Sequence, residues 1–314
     1  MVPRHEADRW RADPMSIRSA LLIVNYGSRR LLEENLARTA VPENMDVVIV
    51  DNLSTPEERA ELLALSARAG WNLLSPASNL GFGGGMNLAA SAAIARGAEV
   101  LVLLNPDAYI PEDGLARLVA AGSEPGTLVA PMVLRPDGGH FSSAMEVDLA
   151  TGSLRRAVGG RRYAASAIWV SGACLAVGAE LWNRVGGFDD DYFLYWEDVD
   201  LSVRVVAAGG RIKVDESIVA VHSPGGTQGG GRSKSAIYYR FNTRNRLVFA
   251  AKHVPPAAQR RWVRTAPKAA WDILLRGGRR QFVRPLRTLW PAARGTWEGW
   301  RFVRTAREAA TRHG

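Results

Sequence analysis

A run of five apolar residues, Val100–Leu104, is followed at once by Asn105, Pro106 and Asp107, and this stretch constrains the fold more than any other. Such a short Val- and Leu-rich run between helix-patterned segments is typical of a central strand in a parallel sheet covered on both faces. Pro106 has no amide hydrogen to donate, so it ends the strand. Ligands of these sheets bind at the carboxyl ends of strands. Asn105 and Asp107 are therefore expected on a loop beyond the sheet, either in a simple turn or in a binding site.

Apolar runs alternate with helix-patterned segments on both sides of this strand. Before it, each predicted strand is followed by residues with helical spacing, and the strands lie at 20–25, 46–51 and 71–74. After it, the predicted elements are a helix at 111–121, strands at 128–134 and 168–177, a helix at 180–185, and strands near Ile212 and Val219 that end at His222. This alternation predicts an α/β fold with a doubly wound, mostly parallel sheet and helices on both faces.

Two glycine-rich stretches interrupt this pattern. Gly81 and Gly83 match the first two glycines of the dinucleotide-binding fingerprint, but Met86 stands where the third is needed, and the stretch follows the third strand rather than the first. Before a helix predicted at 88–96, these glycines are expected either to form a loop facing a ligand or to allow a tight turn with close helix packing. Residues 136–165 are expected to form a mobile loop or a hairpin.

Length and composition predict an ordinary globular protein of about two domains. The 314 residues contain 47% hydrophobic residues and a single cysteine, Cys174, which excludes an internal disulfide and favours a buried, inert thiol. The first residues lack the apolar stretch of a signal peptide, and no apolar run reaches the roughly 18 residues needed to span a bilayer. We expect a flexible leader at 1–18, a main domain at 19–252 and a helical tail at 253–314, in a cytoplasmic protein.

The tail carries most of the positive charge. From Lys252 onward, two Lys and thirteen Arg face three carboxylates, a local charge of +12 in a chain whose net charge is +9. Five of the ten tryptophans lie in the same segment. Arg and Trp together favour an anionic membrane surface, such as the inner face of the plasma membrane. The alternatives are packing on the main domain and contact between copies of the chain. Pro267, Pro285 and Pro291 are expected to divide the tail into short helices.

Six motifs follow one another along residues 19–252. They are Asn25-Tyr26, Asp51-Asn52, the stretch from Asn79 to Asn87, Asn105-Pro106-Asp107, Gly186-Gly187-Phe188-Asp189, and the acidic stretch from Tyr195 to Arg204. In this order and spacing they resemble the family 2 inverting glycosyltransferases, and within that family bacterial rhamnosyltransferases acting on lipid-linked or polysaccharide acceptors.

This resemblance implies a GT-A fold that binds a nucleoside diphosphate sugar, such as a dTDP- or UDP-sugar, with Mg²⁺ or Mn²⁺ on the diphosphate. It assigns nucleotide-sugar binding to Asn25, Tyr26, Asp51, Asn52, Asn79, Gly81, Phe82, Gly83, Asn87, Asn105 and Asp107. Asp107 is the implied metal ligand, since a cation held by one or two carboxylates and phosphate oxygens would offset the charge of the leaving group. Asn105 replaces the first Asp of the family's Asp-x-Asp. His222 matches a metal position of some relatives, or is a structural histidine.

The acidic stretch provides the implied catalytic base. An acceptor hydroxyl must lose its proton as it attacks the anomeric carbon, and one carboxylate is enough for a single displacement. Glu197 and Asp198 are adjacent on a predicted helix and cannot point the same way. By resemblance Asp198 is the base and Glu197 the alternative. Trp196 and Arg244 are the implied acceptor-binding residues.

The resulting hypothesis is an inverting glycosyltransferase of cell-wall or polysaccharide biosynthesis that transfers a sugar, with rhamnose favoured, to a lipid-linked or glycan acceptor. One alternative is a sugar nucleotidyltransferase, which would need a glycine- and arginine-rich phosphate loop after the first strand. The other is a non-enzymatic protein that binds an anionic surface or nucleic acid through the basic tail. Nucleic-acid binding is not expected, because it would leave the six motifs unexplained.

Overall fold

The structure is a computed structural model that describes residues 17–157, 165–223, 234–278 and 285–313. Residues 1–16 of the expected leader and residues 224–231 of a glycine-rich segment lie outside these ranges. The strands are β1 (Ser19–Asn25), β2 (Met45–Asp51), β3 (Asn72–Leu74), β4 (Val100–Leu104), β5 (Ala108–Tyr109), β6 (Thr127–Leu134), β7 (His140–Ser142), β8 (Met145–Asp148), β9 (Leu154–Arg156), β10 (Ser166–Trp169), β11 (Cys174–Gly178) and β12 (Arg211–His222). The helices are α1 (Arg29–Leu36), α2 (Pro56–Ala69), α3 (Gly81–Ala95), α4 (Gly114–Gly122), α5 (Ala179–Val185), α6 (Glu197–Ala207), α7 (Ala236–His253), α8 (Pro256–Arg264), α9 (Ala266–Leu275) and α10 (Leu289–His313), with a 3₁₀ turn at Pro285–Arg287.

A mixed, mostly parallel sheet forms the centre of the described chain. Its strand order is β3-β2-β1-β4-β11-β6-β12-β5, with β7 beside β6. Strands β1 to β4 are mutually parallel, as are β6 and β12, whereas β11 runs antiparallel to both of its neighbours, β4 and β6. The predicted α/β class with a mostly parallel sheet is confirmed. A second sheet, ordered β10-β8-β9, lies beside it.

The single strand predicted at 168–177 is wrong, because the chain changes sheets within it. Half-buried residues Ser166–Trp169 pair with β8 in the small sheet, whereas Cys174–Gly178 pairs with β4 in the central sheet. Cys174 lies opposite Leu104, so the antiparallel β11 begins where β4 ends. The link at 170–173 is therefore delivered to the carboxyl end of β4, next to Asn105.

The central sheet is covered on both faces, as the apolar run of β4 predicts. All five residues of Val100–Leu104 are at most 1% exposed. Val102 and Leu104 contribute to a cluster with side chains from α1, α2 and α4, and Leu101 and Leu103 to a cluster with side chains from α3 and α6. Each fully buried Val or Leu contributes about 1.5–3 kcal/mol to folding, so this strand holds both layers to the sheet. Cys174 is buried, as expected, and burial raises the pKa of its thiol.

The glycine stretch that begins at Gly81 is part of a helix and does not form the ligand-facing loop that was one of the two predictions for it. Helix α3 begins at Gly81, seven residues before the predicted start at residue 88. A β-carbon at Gly83 would lie 2.9 Å from Cβ of Phe188, and one at Gly85 would lie 2.8 Å from Cγ2 of Val24. The absence of side chains lets α3 approach β1 and the 188–193 segment closely. Close helix packing, the other alternative, is what these glycines provide.

The described part of the segment between β6 and β11 contains short pairs of antiparallel strands. Strands β8 and β9 form a hairpin, which matches one of the two alternatives predicted for residues 136–165. Residues 158–164 lie outside the described ranges. A turn follows β6, with the amide of Arg135 donating to the carbonyl of Gly139.

The tail packs closely on α7. A β-carbon at Gly295 would lie 2.0 Å from the carbonyl oxygen of Arg240, and one at Gly299 would lie 2.7 Å from that of Arg244, so both glycines permit direct backbone contact between α10 and α7. Arg240 donates two hydrogen bonds to Glu298 at 2.8 and 2.9 Å. Pro291 does not break the tail as expected, because it lies in the first turn of α10, where no intrahelical donor is needed.

The tail tryptophans divide into buried and exposed groups. Trp262 is fully buried, whereas four others are at least 44% exposed, namely Trp271, Trp290, Trp297 and Trp300. No helix within the described ranges combines the length and apolar character needed to cross a bilayer. The boundary at residue 252 and the membrane-surface contact stay predictions.

Candidate active site

The loops after β1 and β2 bring Asn25 and Asp51 side by side. These two residues are register partners at the ends of their strands, and both are fully buried. Asp51 pairs with Arg59 and accepts a hydrogen bond from the amide of Ser54 at 3.1 Å. Asn25 accepts a hydrogen bond from the hydroxyl of Ser28 at 2.8 Å, while its amide nitrogen has no partner among the described residues. Tyr26, 53% exposed, follows on the surface.

Asn52 and Asn79 hold the start of α3. The side chain of Asn52 donates to the carbonyl of Gly81 and accepts from the amide of Leu80, both at 2.8 Å. Asn79 accepts from the amide of Gly81 at 2.9 Å, and Gly81 itself has a left-handed φ of +75°. The next residue after Asn52, Leu53, also has a positive φ of 66°. These asparagines therefore shape the loops on which the predicted nucleotide-sugar site depends.

Asn87, Phe82 and Gly83 face the segment that leads to the acidic stretch. Asn87 exchanges two hydrogen bonds with the backbone of Phe188, each at 2.8 Å. The Phe82 ring lies 5.7 Å from the Phe188 ring, and its amide donates to the carbonyl of Phe193 at 2.9 Å. Through these contacts α3 fixes the approach to α6.

Asp107 and His222, the two implied metal ligands, lie next to each other in the structure. His222, the last residue of β12, lies in register with Ala108, and its Nε2 is 3.0 Å from Oδ1 of Asp107. Both residues are buried, and Phe141 packs edge-on against the imidazole. Two buried polar atoms here have no partner among the described residues, Nδ1 of His222 and Oδ1 of Asn105. The β5–β12 register thus brings together two residues that are far apart in sequence.

Asp198 lies on a helix, as predicted, in the first turn of α6, and is held against the 170–173 link. Its Oδ2 accepts from the amide of Gly172 at 3.1 Å, and its Oδ1 accepts from the amide of Val199 at 2.9 Å. The neighbouring Ala173 accepts from the amide of Asn105 at 3.0 Å. One short link therefore contacts both Asp198 and the Asn105 to Asp107 loop.

The two adjacent carboxyl groups have different surroundings. Burial raises the pKa of Asp198 to about 6, against the opposing effect of hydrogen bonds from the Gly172 and Val199 amides. Burial, together with the charge of Asp198, raises the pKa of Glu197 well above its usual range. Oε2 of Glu197 is buried without a hydrogen-bond partner among the described residues. Asp198 is thus the group that more readily carries a negative charge near neutral pH.

The backbone before α6 is strained. Tyr195 and Trp196 have φ values of 68° and 75°, a left-handed conformation that costs about 1–3 kcal/mol for each non-glycine residue. Asn245, fully buried on α7, donates to the carbonyls of Leu194 at 2.9 Å and Tyr195 at 2.8 Å. These bonds hold the turn from which Asp198 projects.

Arg244 and Trp196, the predicted acceptor-binding residues, both make internal contacts. Arg244 donates to the carbonyl of Asp191 and to Oδ1 of Asn245, at 2.7 and 2.6 Å. Trp196 is 5% exposed and packs against Phe249 and Trp262. The sequence predicted no role for Asn245, because its partners are backbone carbonyls that no side-chain pattern reveals.

The acidic helix also contains an ion pair between residues four positions apart. Arg204 donates to Oδ2 of Asp200 at 2.7 Å, one turn apart, and Nε2 of His253 on α7 lies 2.6 Å from Oδ1 of the same carboxylate. Asp200 is fully buried, so it joins α6 to α7 and is closed to a substrate.

Comparison with known proteins identifies a matching family and several similar proteins. Residues 21–163 match the sequence profile of Glycosyl transferase family 2. The N-acetylglucosaminyl-diphospho-decaprenol L-rhamnosyltransferase of Mycobacterium tuberculosis is 28% identical over 219 residues, which cover 60% of this chain and 70% of that protein. Rhamnosyltransferase WbbL of Escherichia coli K12 is 39% identical over 54 residues, 17% of this chain and 20% of that protein.

Two solved structures share the fold. The structure of GalNAc-T7 with UDP, GalNAc and Mn²⁺ has a TM-score of 0.55 at 16% identity, and the match covers 75% of this chain and 51% of that one. The mannosyltransferase PcManGT of Pyrobaculum calidifontis, with GDP-Man and Mn²⁺, has a TM-score of 0.51 at 19% identity, covering 96% of this chain and 91% of that one. At these identities the similarity concerns the fold, which is GT-A-like.

Proposed function

Because this chain belongs to glycosyl transferase family 2 and is an enzyme that transfers a sugar from a nucleotide sugar, we propose that it transfers rhamnose to a hydroxyl of a lipid-linked acceptor with inversion. The family and the enzyme class expected from the motifs are confirmed, and a sugar nucleotidyltransferase or a non-enzymatic binder is no longer favoured. The sugar and acceptor are inferred from the names of relatives that are 28% and 39% identical over parts of the chain.

One observation carries the mechanism. The 170–173 link touches Asp198 through Gly172 and Asn105 through Ala173, so a carboxylate and the Asp107–His222 pair lie around the carboxyl end of β4. An inverting transfer needs a base on one side of the anomeric carbon and stabilisation of the leaving diphosphate on the other. The proposed arrangement supplies both from elements that meet at one edge of the sheet.

Asp198 is the proposed base. With a pKa of about 6 the carboxylate is charged at neutral pH, yet it is basic enough to accept the proton of an attacking hydroxyl. The raised pKa of Glu197 keeps that neighbour protonated to higher pH, so it is the weaker candidate. The amides of Gly172 and Val199 orient the Asp198 carboxylate before the acceptor arrives.

Asp107 and His222 are the proposed ligands of a divalent cation. Their carboxylate oxygen and imidazole nitrogen atoms suit Mn²⁺. Two further buried polar atoms at this place, Nδ1 of His222 and Oδ1 of Asn105, have no hydrogen-bond partner among the described residues. The described residues contain no cluster of three His, Cys, Asp or Glu side chains that could hold an ion. Phosphate oxygens and water would therefore complete the shell, as is usual where a cation is held through one carboxylate. Such an ion supplies positive charge to the departing diphosphate.

The donor nucleotide is proposed to lie over the loops after β1 and β2. Asn25 presents a buried amide nitrogen without a described partner, and Arg59 holds the Asp51 side chain in place. Asn25 can therefore donate a hydrogen bond to a base or ribose, and Asp51 can accept one from it. Asn52, Asn79 and Asn87 contribute by holding α3 in place.

A donor panel with matched variants tests the proposal. We expect a dTDP- or UDP-sugar with Mn²⁺ to raise the melting temperature, since a ligand bound only by the folded state stabilises it. Asp198→Asn should lower kcat by about 10²–10⁴-fold while leaving the donor Kd within about twofold. Asp113→Asn, at a side chain that is 69% exposed, is the control and should behave as wild type. An Asp198→Asn enzyme within tenfold of wild-type kcat would exclude Asp198 as the base.

A further inference from the structure

A cationic cavity lies on the tail side of the strained turn. It has a volume of about 530 Å³, is open to solvent on one side, and is lined mainly by residues 151–154 between β8 and β9 and by residues of α7 and of the segment 261–276. Its lining contains one carboxylate, Asp272, and four cations, Arg246, Arg261, Lys268 and Arg276. No element of the donor site described above lines it.

The inner wall of this cavity is built around a buried cation. Arg246 is 4% exposed, donates to the carbonyls of Thr151 and Trp262, and lies 4.6 Å above the Trp262 ring. A β-carbon at Gly152 would lie 2.9 Å from Nε of Arg246, so glycine lets the turn close over the guanidinium. Burial lowers the pKa of Arg246 to about 10, which leaves it fully charged at neutral pH.

The outer wall has more cationic side chains than carboxylates that pair with them. Lys268 pairs with Asp272 at 2.8 Å. Among the described residues no carboxylate forms an ion pair with Arg261 or Arg276. A neighbouring groove shares Arg261 and adds Arg260 and Arg264. Folding gains nothing from placing unpaired like charges around one cavity, so their arrangement favours a polyanionic ligand.

The cavity is connected to the proposed base through Trp196. That residue lines the cavity, and its peptide leads directly into Glu197 and Asp198 at the start of α6. Helix α9, which provides Lys268 and is followed directly by Arg276, also presents Trp271 and Leu275, each 50% exposed. The cavity therefore shares one residue with the turn that leads to the base, and the helix that provides part of its lining also carries exposed apolar side chains.

We propose that this cavity binds the diphosphate of a lipid-linked acceptor, an inference that rests on the function proposed above. In a glycosyl diphospho-lipid the diphosphate lies between the sugar that presents the hydroxyl and the apolar chain. Asp198, the cationic cavity and the exposed Trp271 and Leu275 would each contact one of these three parts. A phospholipid headgroup has the same phosphate chemistry and is the alternative source that the experiment separates.

The test compares two acceptors and two variants. The acceptors are N-acetylglucosaminyl diphosphate on a short prenyl chain and an uncharged alkyl N-acetylglucosaminide without phosphate. The double variant Arg261→Gln with Arg276→Gln should raise KM for the diphosphate acceptor about tenfold or more, because hydrogen bonds to charged groups are among the stronger ones. Its kcat, its donor KM and its KM for the uncharged acceptor should stay within twofold. Arg287→Gln, an exposed tail cation outside the cavity, is the charge-matched control.

Four outcomes are distinguishable. A KM increase confined to the diphosphate acceptor supports the proposal. Equal KM changes for both acceptors, or none, overturn it while the transferase function stands. If the variant loses co-sedimentation with vesicles of phosphatidylglycerol but keeps wild-type KM for the diphosphate acceptor, the cavity binds headgroups and the proposal is wrong. If wild-type enzyme transfers sugar to neither acceptor, the proposed function itself has failed. Melting temperatures of the variants confirm that each is folded.

Discussion

Replacing Asn245 with Ala tests whether α7 positions the proposed base. Asn245 donates two hydrogen bonds to the carbonyls of Leu194 and Tyr195 and accepts one from Arg244, all in a fully buried location. At a net value of about 1 kcal/mol for each bond, the variant should lose about 2–4 kcal/mol of unfolding free energy. The strained turn at Tyr195 and Trp196 then loses the contacts that oppose its relaxation.

Relaxation of this turn should move Asp198, which follows Trp196 by two residues. A displacement of about 1 Å at a reacting group can cost about 10²-fold in rate, so we expect kcat to fall about 10- to 100-fold. The donor Kd should stay unchanged, because the donor loops are held by Asn52 and Asn87 instead. Urea unfolding, calorimetric donor titration and initial rates measure the three quantities.

The control is Asn183→Ala, the same substitution at an exposed position of α5, where a change below about 0.5 kcal/mol is expected. The positioning role would be refuted by an Asn245→Ala enzyme that is destabilised as expected but retains wild-type kcat. A variant with neither effect would refute the hydrogen-bond reasoning as well.

Three further predictions concern pH, metal and the tail. Since the pKa of Asp198 is raised to about 6 and a protonated carboxyl cannot accept a proton, kcat at saturating donor should fall tenfold per unit below about pH 6; a flat profile down to pH 5 would contradict this. His222→Ala should weaken Mn²⁺ binding in the presence of UDP by at least tenfold in calorimetry, and EDTA should abolish wild-type activity; unchanged values would remove the metal proposal. Gly295→Ala would place a β-carbon 2.0 Å from the carbonyl of Arg240 and should lower the free energy of unfolding, measured in urea, by about 1–3 kcal/mol. The control Ala293→Ser, on the exposed face of α10, should lower it by less than about 0.5 kcal/mol. Equal losses in the two variants would show that α10 does not depend on this contact.

The sequence predicts elements well where burial alone decides the structure. The apolar runs of β1, β2 and β4 end at polar residues because a buried strand tolerates few polar side chains, and these strand ends lie where they were expected. Asp198 falls in the first turn of a helix because Val199 and the residues that follow have helical spacing. The family likewise follows from motifs read in order along the chain.

Local patterns fail where a residue's role depends on a distant neighbour. The glycines from 81 to 85 resemble a loop, yet they start a helix. They are glycines because Phe188, Val24 and the backbone of Phe193 occupy the space that their side chains would need. Residues 166–178 resemble one strand, yet they divide between two sheets because only their second half pairs with β4.

The sequence by itself determined the alternation of strands and helices from β1 to β4, the acidic helix start and the polar loop of Asp107, because each depends on periodicity and on residues close together in the chain. Only the tertiary structure decided that β11 runs antiparallel beside β4, that β12 delivers His222 to Asp107, and that Asn245 holds the turn before Asp198. These depend on strand direction, register and contacts to backbone carbonyls, and none of them leaves a periodic signal in the amino-acid sequence.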